Sequence, residues 1–418
     1  MRISSSYFFQ TGLNSINAQQ SDLLHLYQQA ASGQRMVTPA DDPLGAAQAV
    51  NLSQSQSLNE RYAANRDVLK MNLGNEENAL SSVTTLLQDI KTRLVEAGNG
   101  TMSDADRATL ADVLRNSKET LFGLANSTDG NGQYLFSGFA ATQPAFVKNA
   151  DGTVSYAGDG GQREIQADQT RRIAATDLGT SVFASAASGS RAYLTHADTG
   201  NQGTGVIGGP SITDPQGDHV GLPFTIEFSE TAGPDPVLQY TVHTFDADGD
   251  AETYGPLNYD EGTTTLQLPG GVQVAFSGLP KAGDSFSVEP ATHADTELNV
   301  FDTLDAIIAA LDAPADGNPL GQAQLANALA SAMQRIDVNY DQVLTVRASV
   351  GSRLSEIDAI DANGSARGLS YANQLSKLED VDYYTVTTQL ELRRSALEAA
   401  ALAFKKIQGT SLFNMGSS

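Results

Sequence analysis

The sequence predicts a multi-domain α+β protein: terminal coiled-coil helices and a long helical bundle built from both chain ends, with an inserted antiparallel β domain. Three observations carry this. Near both ends, apolar residues recur at three- and four-residue steps. Between about residues 145 and 294 the period drops to two, and glycine, proline and threonine become frequent. The chain has 418 residues, enough for several parts that each bury a core.

The first helix is marked by Leu13, Ile16, Leu23, Tyr27 and Ala30, with Gln20 as the polar member of the seam. It gives way to "SGQRMVTPADDPLGAAQA", Ser32 to Ala49, which carries Gly33, Pro39 and Pro43. Asp41 and Asp42 raise the question of a paired-carboxylate site. Such a site needs two carboxyl groups converging on one space. Neighbours in a loop rarely converge, and His25 is the one histidine close in sequence. Helix punctuation has a mechanism instead. Asp42 is a good N-cap, Pro43 suits a first helical turn, and Pro39 pushes Thr38 toward an extended conformation. Residues 1–40 are therefore expected to be an N-terminal assembly helix, and 41–144 the outgoing part of a bundle.

A second helix is expected from about Leu44. Leu69, Leu73, Leu80, Val83, Leu87, Ile90 and Leu94 keep heptad spacing, with Glu76 the exception, and the helix stops at "AGNG", Ala97 to Gly100. A third opens at Ser103, with Asp106 three residues on as a capping partner, and carries Leu110, Val113, Leu114, Leu121 and Leu124.

Residues 145–294 read as an outer β-rich domain. "FTIEF" alternates Phe224, Ile226 and Phe228 with Thr225 and Glu227, and "LQYTV" does the same. "LQLPGGVQVAF" is two alternating runs around Pro269-Gly270-Gly271, a hairpin signal. "FSV", Phe286 to Val288, is a further short strand. About Ser185 to Asp218 reads as loop. Helix returns at about Glu297, so 295–370 are the return part of the bundle. Ile336, Tyr340, Val343, Arg347, Val350, Leu354 and Ile357 lie along one helix there.

The last helix is expected from about Tyr371 to Gln408, within a C-terminal assembly segment 371–418. Val386, Leu390, Leu397, Ala400, Phe404 and Ile407 form one stripe, interrupted by Arg393; Val381, Leu392, Ala399 and Leu402 form another. Two stripes require cover on more than one side. Either the helix crosses a bundle or other copies of the chain cover it. Leu13, Ile16, Leu23, Tyr27, Val386, Leu390, Leu397, Phe404 and Ile407 are the candidate assembly interface. Pro39, Asp41, Asp42 and Pro43 are the candidate helix-break and cap motif.

Charge and chemistry narrow the function. The formal net charge is −24, of which residues 146–290 carry −13. Such a field repels nucleic-acid phosphates and anionic lipid. There is no cysteine, so disulfides and thiolate sites are excluded. No segment has the length and apolarity of a membrane span. The opening "MRISSSYFFQ" is not a cleavable signal peptide, so export would need a route without one.

"GTGVIG", Gly203 to Gly208, fits a dinucleotide pattern, but "GPSITDP" follows where a helix is required. "DADGDAE", Asp246 to Glu252, looks like part of a calcium loop. Its twelfth position is Leu257 and its flanks are strands, so an acidic hairpin turn is expected. His25, His196, His219, His243 and His293 are scattered. No catalytic, cofactor or metal site is expected, and no enzyme.

Several motifs together resemble the flagellin superfamily. "QQAASGQRMVTPADDPLGAAQAVNL", Gln28 to Leu52, is similar to its N-terminal signature. With Asp-Asp-Pro and the opening "MRIS", it resembles the hook-associated members more than flagellins, which typically have alanine after the paired aspartates. "NGQYLFSGFAATQPAF", "YAGDGGQREIQ", "LTVRASVGSRLSEID" and the terminal "SLFNM" agree. The resemblance covers about 1–185 and 295–418, and leaves 190–290 without a recognised motif. It implies a structural subunit of the bacterial flagellum, an adaptor at the hook–filament junction. Its implied partners are copies of itself, a neighbouring hook-associated protein, flagellin, and a cytoplasmic export chaperone holding the C-terminal helix. It implies a secreted protein, exported through the flagellar type III channel.

Flagellin itself is the alternative within the superfamily. From other classes, a carbohydrate-binding or adhesive protein would work through its β insert, and a calcium-dependent module through the acidic turn. The terminal helices are expected to be mobile in the monomer and helical in the assembly.

Overall fold

The computed structural model describes residues 5–232, 234–246, 248–293 and 298–415. The chain divides into two units, residues 1–65 with 359–418, and residues 66–358. The first unit draws on helix α1 (Ser5–Ser32), the start of α2 (Pro43–Ala97) and residues near the other chain end.

In the second unit, the later part of α2 carries the expected heptad stripe. Leu69, Leu73, Leu80, Val83, Leu87, Ile90 and Leu94 are all buried. Each such side chain contributes about 1.5–3 kcal/mol on leaving water, so the stripe alone fixes which face of α2 turns inward. Helix α3 (Asp104–Ala125) starts at Ser103, whose hydroxyl accepts from the Asp106 N–H while the Asp106 carboxylate accepts from the Ser103 N–H. This reciprocal bonding satisfies two of the free N–H groups at a helix start.

After α3 come two small antiparallel hairpins, β1 (Phe146–Lys148) with β2 (Val154–Tyr156), and β3 (Glu164–Gln166) with β4 (Arg172–Ala174). Helix α4 (Gly179–Phe183) follows. Phe146 and Phe183 pack edge to face at 5.5 Å and both meet Phe301.

Strands β5 (Tyr193–Ala197), β6 (Val206–Ile212), β7 (Phe224–Glu230), β8 (Leu238–Phe245), β9 (Ala251–Asn258), β10 (Thr265–Leu268), β11 (Val272–Ser277) and β12 (Ser285–Pro290) build two antiparallel sheets. One has the order β5-β12-β7-β8-β9 and the other β10-β11-β6. Their inner faces share one core that includes Phe224, Ile226, Phe228, Val242, Val274 and Phe276. Phe228 and Phe276 stack at 5.2 Å, and Phe276 meets Phe286 edge-on at 5.1 Å. The alternating runs read from the sequence are therefore β7, β8, β10, β11 and β12.

The loop expected over about Ser185 to Asp218 is corrected: it contains β5 and β6. Tyr193, Leu194 and Thr195 are buried in succession, so β5 is covered on both faces and shows no alternation. In β6, Gly208, Gly209 and Pro210 look like loop. A side chain at Gly208 would come within 3.0 Å of the Ala275 Cβ, and the pairing with β11 shifts register past Pro210. Glycine there allows the two strands to approach closely. The "GTGVIG" glycines serve the same packing: a Cβ on Gly203 would lie 2.5 Å from the Asp284 carboxylate. The acidic stretch after β8 is the turn of the β8–β9 hairpin, with the Asp246 N–H bonded to the Asp250 carbonyl.

Helices α5 (Val300–Asp312), α6 (Pro319–Glu379) and α7 (Tyr383–Met415) complete the chain. Residue 297, where helix was expected to resume, lies outside the described residues. Helix α5 begins after the cap Asn299, whose side chain accepts from the Phe301 N–H. The expected start of the last helix at Tyr371 is corrected. Tyr371 lies inside α6, which runs on for 61 residues to Glu379, and the break falls at residues 380–382. There Asp382 accepts from the Tyr384 N–H and the Thr385 hydroxyl. The turn contains neither glycine nor proline, so local composition does not announce it.

Glu76, the exception in the α2 stripe, is fully buried. One carboxylate oxygen accepts from the Asp177 N–H at 3.0 Å, and the other has no hydrogen-bond partner among the described residues. Asp177 in turn is held by Arg353 and Gln162. Burial, and then the charge of Asp177, pushes the Glu76 carboxyl well above its ordinary 4.5. A carboxyl that binds its proton more tightly when folded stabilises at low pH and loses that contribution as pH rises through its raised value. Glu76→Gln should therefore remove a fall in stability that the native chain shows from about pH 4.5 upward. Urea unfolding of both proteins across that range checks this; parallel pH profiles would contradict it.

Candidate assembly site at the chain ends

Helices α1 and α7 bring the two chain ends together along much of their length. Leu26, Val381 and Val386 form a buried cluster, with Ala30 and Leu390 packed against it. Arg393 pairs with Asp22 at 3.1 Å across the two helices. Further along, Phe9 and Phe404 meet at 5.0 Å. Gly12 lies under the Phe404 ring, where a Cβ would sit 3.1 Å away, so the absent side chain lets the helices close.

Of the sequence-derived interface residues, Val386 and Leu390 join the buried cluster and Phe404 joins the aromatic contact. Ile16, Leu23 and Leu397 are half-buried. Leu13 and Tyr27 stay exposed, at 38% and 51%. The Ile407 side chain lies outside the described residues. Leu26 was missed, although it falls three residues after Leu23 and four before Ala30. That spacing would have found it.

Much apolar surface on this helix pair stays uncovered: Tyr384 is 83% exposed and Leu402 68%, and Tyr7, Leu24 and Leu392 are also open. These open apolar groups make the helix pair the candidate interaction surface of the chain.

The break after α1 is a built turn. Gly33 has φ 74°, a left-handed conformation that suits glycine after a helix end. Asp42 accepts from the Gly45 N–H at 2.9 Å and caps α2, whose first residue is Pro43. Pro39 is exposed in the turn. Asp41 faces elsewhere, accepting from the Thr38 N–H at 2.8 Å and lying 3.1 Å from the His25 Nε2. The two carboxylates thus serve different partners and share no reacting space. The Thr38 N–H, helped by His25, holds the Asp41 carboxyl below the usual range. The Gly45 N–H, helped by Arg35, does so for Asp42. Both are acceptors in their ionised form, which is the state a cap needs.

Other chemistry is sparse. Among the described residues no group of three or more His, Asp or Glu could hold a metal ion, and no helix is long and apolar enough to cross a membrane. In the second unit a cavity of about 530 Å³ lies between α5, the start of α6 and the segment after β5. Asp198 and Asp302 reach it, but no Phe or Tyr lines it.

The chain thus has the form of a structural subunit, with long helical ends around an inserted antiparallel β region. Comparison with known proteins agrees. Residues 3–141 match the bacterial flagellin N-terminal helical region. Flagellar hook-associated protein 3 of Salmonella typhimurium is 30% identical over 99% of both chains. The protein of that name from Escherichia coli is 28% identical, again over 99% of both. The crystal structure of flagellar hook-associated protein 3 from Legionella pneumophila is 26% identical, with a TM-score of 0.66 over 78% of this chain and 98% of that one. The chain belongs to the flagellar hook-associated protein 3 family.

Proposed function

We propose that this chain is a non-enzymatic adaptor of the bacterial flagellum, placed at the junction between hook and filament. The observation that carries this is the α1–α7 pair. It joins the two chain ends through Leu26 and Val386, with Val381 of the turn before α7, and leaves Tyr27, Tyr384, Leu392 and Leu402 open for neighbours. Copies of the same chain cover these residues within a layer. A neighbouring hook-associated protein and flagellin meet that layer on its two sides. The acidic β domain faces solvent, where like charge limits unwanted association. Export proceeds without signal cleavage, and a cytoplasmic chaperone covers α7 beforehand. The absence of cysteine suits passage of an unfolded chain.

Seeded assembly tests the placement. Added to purified hooks carrying the preceding junction protein, this chain should form a short layer and stop, and that layer should then accept flagellin. Growth of long filaments from this chain alone would make it a filament subunit instead.

A further inference from the structure

The break after α1 and the break between α6 and α7 are held against each other, and one residue touches both. The Arg35 N–H donates to the Glu379 carbonyl at 2.6 Å, and the Val381 N–H to the Gly33 carbonyl at 3.0 Å. These bonds flank an antiparallel bridge between Gln34 and Asp380. The Arg35 guanidinium adds two further contacts. Its Nε donates to the Leu378 carbonyl at 3.0 Å, and its Nη2 to the Asp42 carboxylate at 3.2 Å. The Arg35 carbonyl accepts from the Gln29 side chain at 2.6 Å. Arg35 therefore reaches the last turn of α1, the cap of α2 and the last turn of α6.

We propose that Arg35 is a positioning residue, a clasp that makes the two chain breaks one mechanical element and locks α1 and α7 in register. Its use in assembly rests on the adaptor reading above; the clasp itself does not. Each helix end presents groups without intrahelical partners. A guanidinium suits this place because its fork can serve a carbonyl and a carboxylate at once, and its charge favours a helix C-terminus. An exposed ion pair to Asp42 alone would be worth little. The force of the arrangement lies in the guanidinium's simultaneous bonds to the end of α6 and the cap of α2, beside the bond at its main-chain carbonyl that ties the same residue to the last turn of α1. When a neighbouring subunit engages α7, the clasp carries that constraint to α1, so the two ends enter the assembly together.

The test is hydrogen exchange on the full-length chain. Arg35→Ala should raise exchange by about tenfold, the worth of one or two net hydrogen bonds, at residues 33–45 and at 379–386 alike. Exchange along 69–94 should stay unchanged and so certify the fold. Arg35→Lys keeps the charge without the fork and should retain most of the loosening.

Gln34 and Asp380 face each other as the pair without mutual backbone bonds, the closer kind of antiparallel pair. Gln34→Cys with Asp380→Cys should therefore form a disulfide on oxidation, the sole one in a chain without other cysteines. In that oxidised background Arg35→Ala should no longer loosen either break. Loosening confined to 33–45, no change at either break, or failure of the disulfide to form in the folded chain would each overturn the clasp. The adaptor reading has its own test in seeded assembly, so the two can fail separately.

Discussion

Removal of α7, by ending the chain after Asp382, should reduce incorporation at the hook tip to background while leaving the 66–358 unit folded. Helix α7 supplies Val386 and Leu390 to the cluster with Leu26, and Phe404 to the contact with Phe9. Without it the 28-residue α1 exposes both contacts to water. Most helical stability in proteins comes from packing an apolar face rather than from propensity. The helix content of α1 should fall with that of the deleted segment. The thermal transition of the 66–358 unit should stay in place, because its buried stripe on α2 and its sheet core are built from residues of that unit. Pull-down of the truncated chain on purified hooks, beside a calorimetric scan, measures both halves. Normal incorporation of the truncated chain would remove the paired ends from the account.

Leu80→Ala should cost about 2–5 kcal/mol in the 66–358 unit, through lost transfer energy and the cavity left behind. Leu80 is fully buried, among Leu73, Val83 and Leu87 of the same stripe. Domains are stable by only about 5–15 kcal/mol, so the loss is a large share and should appear as a clear drop in urea midpoint. Val95 is on the same helix but 62% exposed. Val95→Ala should stay within about 0.5 kcal/mol of the native chain. Equal effects at the two positions would contradict the assignment of the inward face of α2.

These two predictions differ in how far they could be read from the sequence. The α2 stripe was legible residue by residue, because a seven-residue apolar repeat has one structural meaning over that length. The β7, β8, β10 and β11 strands were legible because each buries one face and shows period two. Strand β5 is buried on both faces, β6 is interrupted by Gly208, Gly209 and Pro210, and β9 is an exposed edge. None of these three carries a periodic signal, and β9 was expected only as the strand that follows the acidic hairpin turn.

At the chain ends the apolar stripes identified which helices meet, and the cap at Asp42 followed from local preferences. The depth of each stripe residue did not. Leu26 and Val386 are buried while Leu13 and Tyr27 are open, which depends on how the two helices face each other. Arg35 was invisible for a stronger reason. Its partner Leu378 is 343 positions away, and an arginine in a turn looks like any solvated charge until the fold brings the second break to it.

Deletion of the gene in its own bacterium tests the central claim most directly. The adaptor account predicts complete hooks without filaments and flagellin released into the medium. Both defects should be reversed by the full-length chain and not by the chain ending at Asp382. Filaments of normal length and number on the deletion strain would contradict it.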